Sequence, residues 1–188
     1  MKPGLEERIE HEYIRHGTLC LIASFDVVTG QSIAPTMGPT RTEEDFLEHC
    51  KRTVAVHPES KWRIIVDPLN THWSASLALW VIAMENLTLP PDELGVKGES
   101  GILKNQASRQ AFLTATERHI RFIYVPKHSS WLNQVEIWFS VVVRRVIQRG
   151  HFVSVEALRQ RLVDFIDYFN RTMAKPYRWT FTGQPLTK

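Results

Sequence analysis

With 188 residues, the chain holds about one domain's worth of sequence. Hydrophobic residues make up 43% and charged residues 23%, with 9 glycines and 10 prolines, a balance that excludes a disordered, collagen-like or low-complexity protein. The net charge of +3 conceals an asymmetry: residues 1–100 carry nine Lys or Arg against fifteen Asp or Glu (−6), and residues 101–188 fourteen against five (+9). Along the chain, residues 18–25 (TLCLIASF) and the run after the Thr-Gly signal in VVTGQSIAP predict a β-hairpin. Thr42 and Asp45 fit a capping box, and Phe46, Leu47, Cys50 and Val54 recur at helical spacing behind it. Residues 57–60 (HPES) end that helix. The run WRIIV at 62–66 then reads as a buried strand closing at Asp67.

After Asp67 the segment starts as a loop and becomes a helix, with Ser74 or Ser76 as its cap. Residues 86–108, rich in Gly, Pro and polar side chains, predict a surface excursion or insertion. A helix over 108–119 and a strand over 120–125 (IRFIYV) follow, closed by Pro126. Ser129 and Ser130 would cap a long helix from Trp131 to Arg149, stopped by Gly150. The last helix covers 155–171 with Leu158, Leu162, Phe165, Ile166 and Phe169 on one face, so the C-terminal helices span 130–171. This order implies an α/β domain over 1–188 with one mixed sheet, and places Asp67 at a strand's carboxyl end, where such sheets open their crevice.

Several function classes lack their signatures. There is no GxxxxGK[ST] loop, no GxGxxG after a strand and no GxSxG elbow. The longest apolar run, residues 77–84, is far too short for a bilayer, and the charged opening lacks a signal-peptide core, so a cytoplasmic protein with no membrane partner is expected. Cys20 and Cys50 have no metal-ligand spacing. Without HExxH, a His-x-His pair or cysteine support, His72 and His128 leave a zinc hydrolase as a third choice.

Two carboxylates stand out. Asp67 emerges from a rigid strand end, and Glu136 sits among Val135, Ile137, Trp138 and Phe139, where a buried carboxylate is costly unless paired, hydrogen-bonded or metal-bound. A solvent-facing position or a salt bridge with Arg144 or Arg145 is the plainer reading. Asn133, Glu136 and Ser140 share one helix face. Carboxylates on separate elements are how hard divalent cations are held for phosphoryl transfer.

The string IIVDPLNTH, followed by RFIYVPKHSSWLNQVEIWFSVVVRRVIQRG, resembles the DDE endonuclease domain of mariner-like bacterial insertion-sequence transposases, and the likeness extends over nearly the whole chain. The stretch SWLNQVEIWF is its most specific part. The resemblance implies a ribonuclease-H-like fold whose three acidic residues bind two Mg²⁺ or Mn²⁺ ions and cut and rejoin DNA at transposon ends. By position, Asp67 matches the second acidic residue and Glu136 the third. The first belongs on a strand upstream of the hairpin, for which this sequence has no room. The chain is therefore expected to lack that first strand, to be an amino-terminally truncated transposase domain, and to be inactive alone.

The resemblance implies that Asp26 is not a substitute, because in that fold its strand would run antiparallel to the missing one and end away from the crevice. Asp67 and Glu136 are expected to be catalytic and metal-binding, with Asn70, His72 and Asn133 supporting them. DNA contacts are expected at Lys127, His128, Arg144, Arg145 and Arg149, since Lys and Arg neutralise phosphates. The plainer reading pairs the arginines of this half with Glu117, Glu156, Asp164 and Asp167. Partners are DNA, a second copy of the chain, or a complementing amino-terminal transposase fragment. The alternative function is a non-catalytic nucleic-acid-binding or self-associating remnant.

Overall fold

Period-two alternation decides the first element of the structure, a computed structural model that describes residues 15–126, 133–148 and 150–176. Strands β1 (Cys20–Asp26) and β2 (Gln31–Gly38) pair antiparallel, with a register shift between Ile22 and Ser24. Asp26 closes the turn: its carboxylate accepts from Val28 N at 2.9 Å and from the Thr29 hydroxyl at 2.7 Å. Both oxygens are thereby engaged in local structure. Gly30 follows at φ +75°, where a Cβ would also strike the backbone of Lys175. Both faces of β1 are used, Leu21, Ala23 and Phe25 joining one apolar cluster and Ile22 the other.

Helix α1 (Glu43–Ala55) begins with the expected box, Thr42 Oγ1 accepting from Asp45 N and Asp45 accepting from Thr42 N. Its buried face also contains His49, 3% exposed. The His49 ring clamps the hairpin to α1, Nε2 lying 2.9 Å from Ser24 Oγ and Nδ1 3.1 Å from Thr36 Oγ1. Burial, opposed by a hydrogen bond with the Ala34 backbone and aided by the charges of Arg52 and His72, pulls its pKa down to about 4.

Above pH 6.5 the ring is neutral whether the chain is folded or not. Between 6.5 and about 4 the unfolded chain takes up a proton that the folded one refuses, so stability falls with pH across that window. The full loss is roughly 3 kcal/mol. Denaturant midpoints at pH 7 and pH 4.5 should separate in the wild type and draw together in His49→Gln. An equal separation in both proteins would remove His49 as the cause.

Strand β3 (Trp62–Val66) pairs in parallel with β4 (Ile120–Tyr124), Trp62 opposite Ile120 and Val66 opposite Tyr124. The crossover between them comprises a 3₁₀ turn (Asn70–Trp73), α2 (Ala75–Met84), the short α3 (Pro91–Leu94) and α4 (Gln106–Thr114). Ser74 caps α2 by accepting from Leu77 N, and Asn105 with Ser108 forms the box of α4. Segment 86–108 departs from the expected surface excursion. Leu103 is buried, and Leu87, Leu89, Leu94 and Ile102 pack against the same core, their irregular spacing giving no periodic signal.

That core gathers Val54 of α1, Leu77 and Val81 of α2, Leu113 of α4 and Phe122 of β4, all fully buried. A second cluster, on the other side of the hairpin, is built by α5 (Gln134–Val142), a π-helical turn (Val143–Ile147) and α6 (Val155–Thr172). Trp138, Val142, Val146, Leu162, Phe165, Ile166 and Phe169 form it. Asn170 ties α6 to β2, exchanging hydrogen bonds with Ser32 N (2.9 Å) and Ser32 O (2.8 Å). None of the described helices is long and apolar enough to cross a membrane.

Two expectations need correction. The helix foreseen over 131–149 starts at Gln134 and widens into the π turn, where Gln148 N donates to Val143 O at 2.9 Å; Ser129 and Ser130 lie outside the described residues. The architecture is α/β, but the single mixed sheet is two two-stranded sheets, one antiparallel and one parallel. Among the described residues, β1 and β3 each keep one edge without a strand neighbour. Ile22 of β1 and Trp62, Ile64 and Val66 of β3 nevertheless rest on one shared cluster.

Candidate functional site

The site is anchored where β3 ends. Val125 N donates to Val66 O at 3.0 Å, extending the parallel ladder one residue past its last pair and fixing the point at which Asp67 leaves the sheet. The next residues curl back onto Asp67: its carbonyl accepts from Leu69 N at 2.8 Å and from His72 Nδ1 at 2.7 Å. Since a carbonyl only accepts, His72 carries its proton on Nδ1. Burial lowers the His72 pKa, opposed by that backbone bond and by the Asp67 carboxylate. The ring also lies against Phe46, centroids 4.1 Å apart.

A second layer holds this turn. Tyr124 OH donates to His72 O at 2.7 Å, and Arg109 Nε donates to Trp73 O at 2.7 Å. Neither role is foretold by the sequence, because each comes from a residue far along the chain with no motif of its own. The His72 ring is tied into the loop through its bond to the Asp67 carbonyl. Asn70 is exposed at the start of the 3₁₀ turn and makes no side-chain hydrogen bond among the described residues.

Asn133 precedes α5 in the N-cap position, where an asparagine ordinarily accepts from the first turn of the helix. Here it makes no such bond. Its buried side chain instead donates from Nδ2 to Asp67 Oδ1 at 3.3 Å, joining the end of β3 to the start of α5 across 66 positions of sequence. Glu136 lies three residues further on, and its N–H donates to the Asn133 carbonyl at 3.0 Å.

Glu136 is exposed, the plainer of the two readings that its apolar neighbours left open. The helical period explains it: Gln134, Trp138 and Val142 turn inward, and Glu136, Ile137, Ser140 and Val143 lie outside. A carboxylate in the first turn also suits the positive end of the helix.

The donors here are carboxylate oxygens, the type preferred by Mg²⁺ and Mn²⁺, and Mg²⁺ is commonly held by one or two carboxylates completed by water and substrate phosphate. Asp67 and Glu136 fit such an ion in kind. Among the described residues there is no group of three or more His, Cys, Asp or Glu that could hold a metal.

Among the basic residues, Arg144 and Arg145 are both exposed on the π turn, Arg144 bonding back to Ser140 O at 3.2 Å. Lys127, His128 and Arg149 lie outside the described residues. Ion pairing takes Arg159 to Glu156 (3.3 Å) and Arg171 to Asp167 (2.8 Å), both within α6. Arg144 and Arg145 have no carboxylate partner among the described residues.

No curated protein and no solved structure matches the chain. A family model described as DDE superfamily endonuclease matches residues 1–159.

Proposed function

The chain belongs to the DDE superfamily endonucleases, and from that premise we propose that it is the catalytic portion of a DNA transposase of the mariner-like bacterial insertion-sequence type, with a ribonuclease-H-like fold. Asp67 and Glu136 are its metal-binding carboxylates. The contact between Asp67 and Asn133 carries the reading, since it joins the two elements that bear them. When bound, Mg²⁺ or Mn²⁺ would stabilise charge on a phosphodiester and ease deprotonation of water or a strand-end hydroxyl.

The side chains divide the remaining work. Asn133 holds one oxygen of Asp67, limiting rotation of the carboxylate. His72, neutral through burial and tied by Nδ1 to the Asp67 carbonyl, keeps the loop in place and is a positioning residue. Glu136 supplies the second carboxylate from an exposed helical turn, and the basic half of the chain binds DNA through its phosphates.

Two carboxylates hold one ion with the help of water and phosphate, whereas a two-metal clamp needs more. A two-metal site would need a further acidic ligand beside Asp67 and Glu136.

Incubation with Mn²⁺ and DNA bearing the element's own ends tests the reading. Cleavage that is lost in Asp67→Asn supports it. DNA binding without cleavage would favour a non-catalytic nucleic-acid-binding protein.

A further inference from the structure

We propose that the groove between the π turn and α6 is a DNA-backbone site in which Arg145 and Arg161 contact phosphates and Tyr168 offers its ring to a base or sugar. The proposal rests on the reading of the chain as a DNA-acting protein and adds to it a surface on α6 remote in sequence from both carboxylates. Arg145 and Arg161 line both halves of the groove, with His151 at one end and Asp164 and Tyr168 at the other. Its apolar floor includes Val146 and Phe165, both buried, so the two guanidinium groups project from a rigid base.

Charge supports this use. The arginines of α6 fall into two kinds: Arg159 and Arg171 have carboxylate partners, and Arg159 also donates to Met37 O at 3.1 Å, whereas Arg161 has no ion pair among the described residues. Arg145 is alike in this respect. The one acid in the groove, Asp164, accepts from Gln160 Nε2 at 2.8 Å and forms no ion pair with either arginine among the described residues. Two uncommitted guanidiniums across one groove suit successive anionic groups, because each presents a planar fork to phosphate oxygens.

Tyr168 is 52% exposed, and an exposed ring beside basic side chains is the combination that stacks bases along a nucleic-acid strand. The π turn adds an independent sign. Such turns are rare and occur frequently at functional sites, and this one carries Arg145.

Fluorescence anisotropy with a labelled DNA duplex of arbitrary sequence, repeated across a salt series, tests the site. The Arg145→Ala, Arg161→Ala double variant should flatten the slope of log affinity against log salt by about two and weaken low-salt binding roughly 10-fold. Arg171→Ala, which removes an arginine already paired on its own helix, should leave the slope unchanged. Arg161→Lys in an otherwise wild-type chain should retain most of it, showing that charge at this position is what counts.

An unchanged slope in the double variant, with wild-type binding intact, would overturn this site and leave the DNA-acting reading standing. Absence of salt-dependent binding by the wild type would overturn both. If the double variant alters only self-association in sedimentation, the groove is a contact between copies of the chain and the proposal fails.

Discussion

Asp67→Asn is expected to lower Mn²⁺ affinity by about 100-fold or more, and Glu136→Gln by a similar factor. Removal of an outer partner of a metal ligand already costs about 10–100-fold, and these two changes remove ligands themselves. Asn133→Ala, which leaves both carboxylates but frees Asp67 Oδ1 from its amide partner, should fall in that smaller range. None of the three should unfold the protein, because Asp67 has one side-chain hydrogen bond among the described residues and Glu136 is exposed. Isothermal titration with Mn²⁺, alongside thermal melts, reads both quantities. Unchanged affinity in Asp67→Asn would remove it from the site.

Trp138→Ala is expected to destabilise the fold by about 3–5 kcal/mol. Trp138 is 2% exposed and lies at the centre of the second cluster, edge-on to Phe139 at 5.1 Å and to Phe169 at 6.3 Å. Its indole N–H has no hydrogen-bond partner among the described residues, so truncation loses packing rather than a polar contact. A loss of that size is a large part of the 5–15 kcal/mol that typically holds a domain together. The same helix carries Glu136 two residues earlier, on its opposite face, so Mn²⁺ binding should fail as the fold fails. Trp138→Phe should retain most of both. Denaturant midpoints check the order, and a loss under about 1 kcal/mol would mean that the cluster yields easily around this site.

Elements written in local signals were legible: the hairpin in its alternation and turn, α1 in its capping box, β3 and β4 in their β-branched runs, and α6 in its apolar face. The split of the sheet was not, because strand neighbours are chosen by tertiary contacts that leave no mark in either strand's own sequence. The leucines of 86–108 escaped for a related reason, each reaching the core singly. His49 was missed because a buried histidine bonded to Ser24 and Thr36 sits in a helix exactly as a surface histidine would, as far as spacing can tell.

At the site, Asp67 was marked by its strand and Asn133 by its face. Their contact was not foreseeable from spacing, since the residues lie 66 positions apart and the amide leaves its usual capping role to reach the carboxylate. The apolar neighbours of Glu136 left burial and exposure both open, because a run of hydrophobic residues does not by itself settle which side of the helix is wet.

The central claim is that the end of β3 and the first turn of α5 share one divalent cation. Mn²⁺ broadens the amide signals of nearby residues, so titrating it into isotopically labelled protein locates the ion directly. The account predicts that amides around 67–72 and 133–137 broaden together at substoichiometric Mn²⁺, that Mg²⁺ competes, and that Asp67→Asn removes the effect in both segments. Broadening confined to one segment, or persisting in Asp67→Asn, would contradict it.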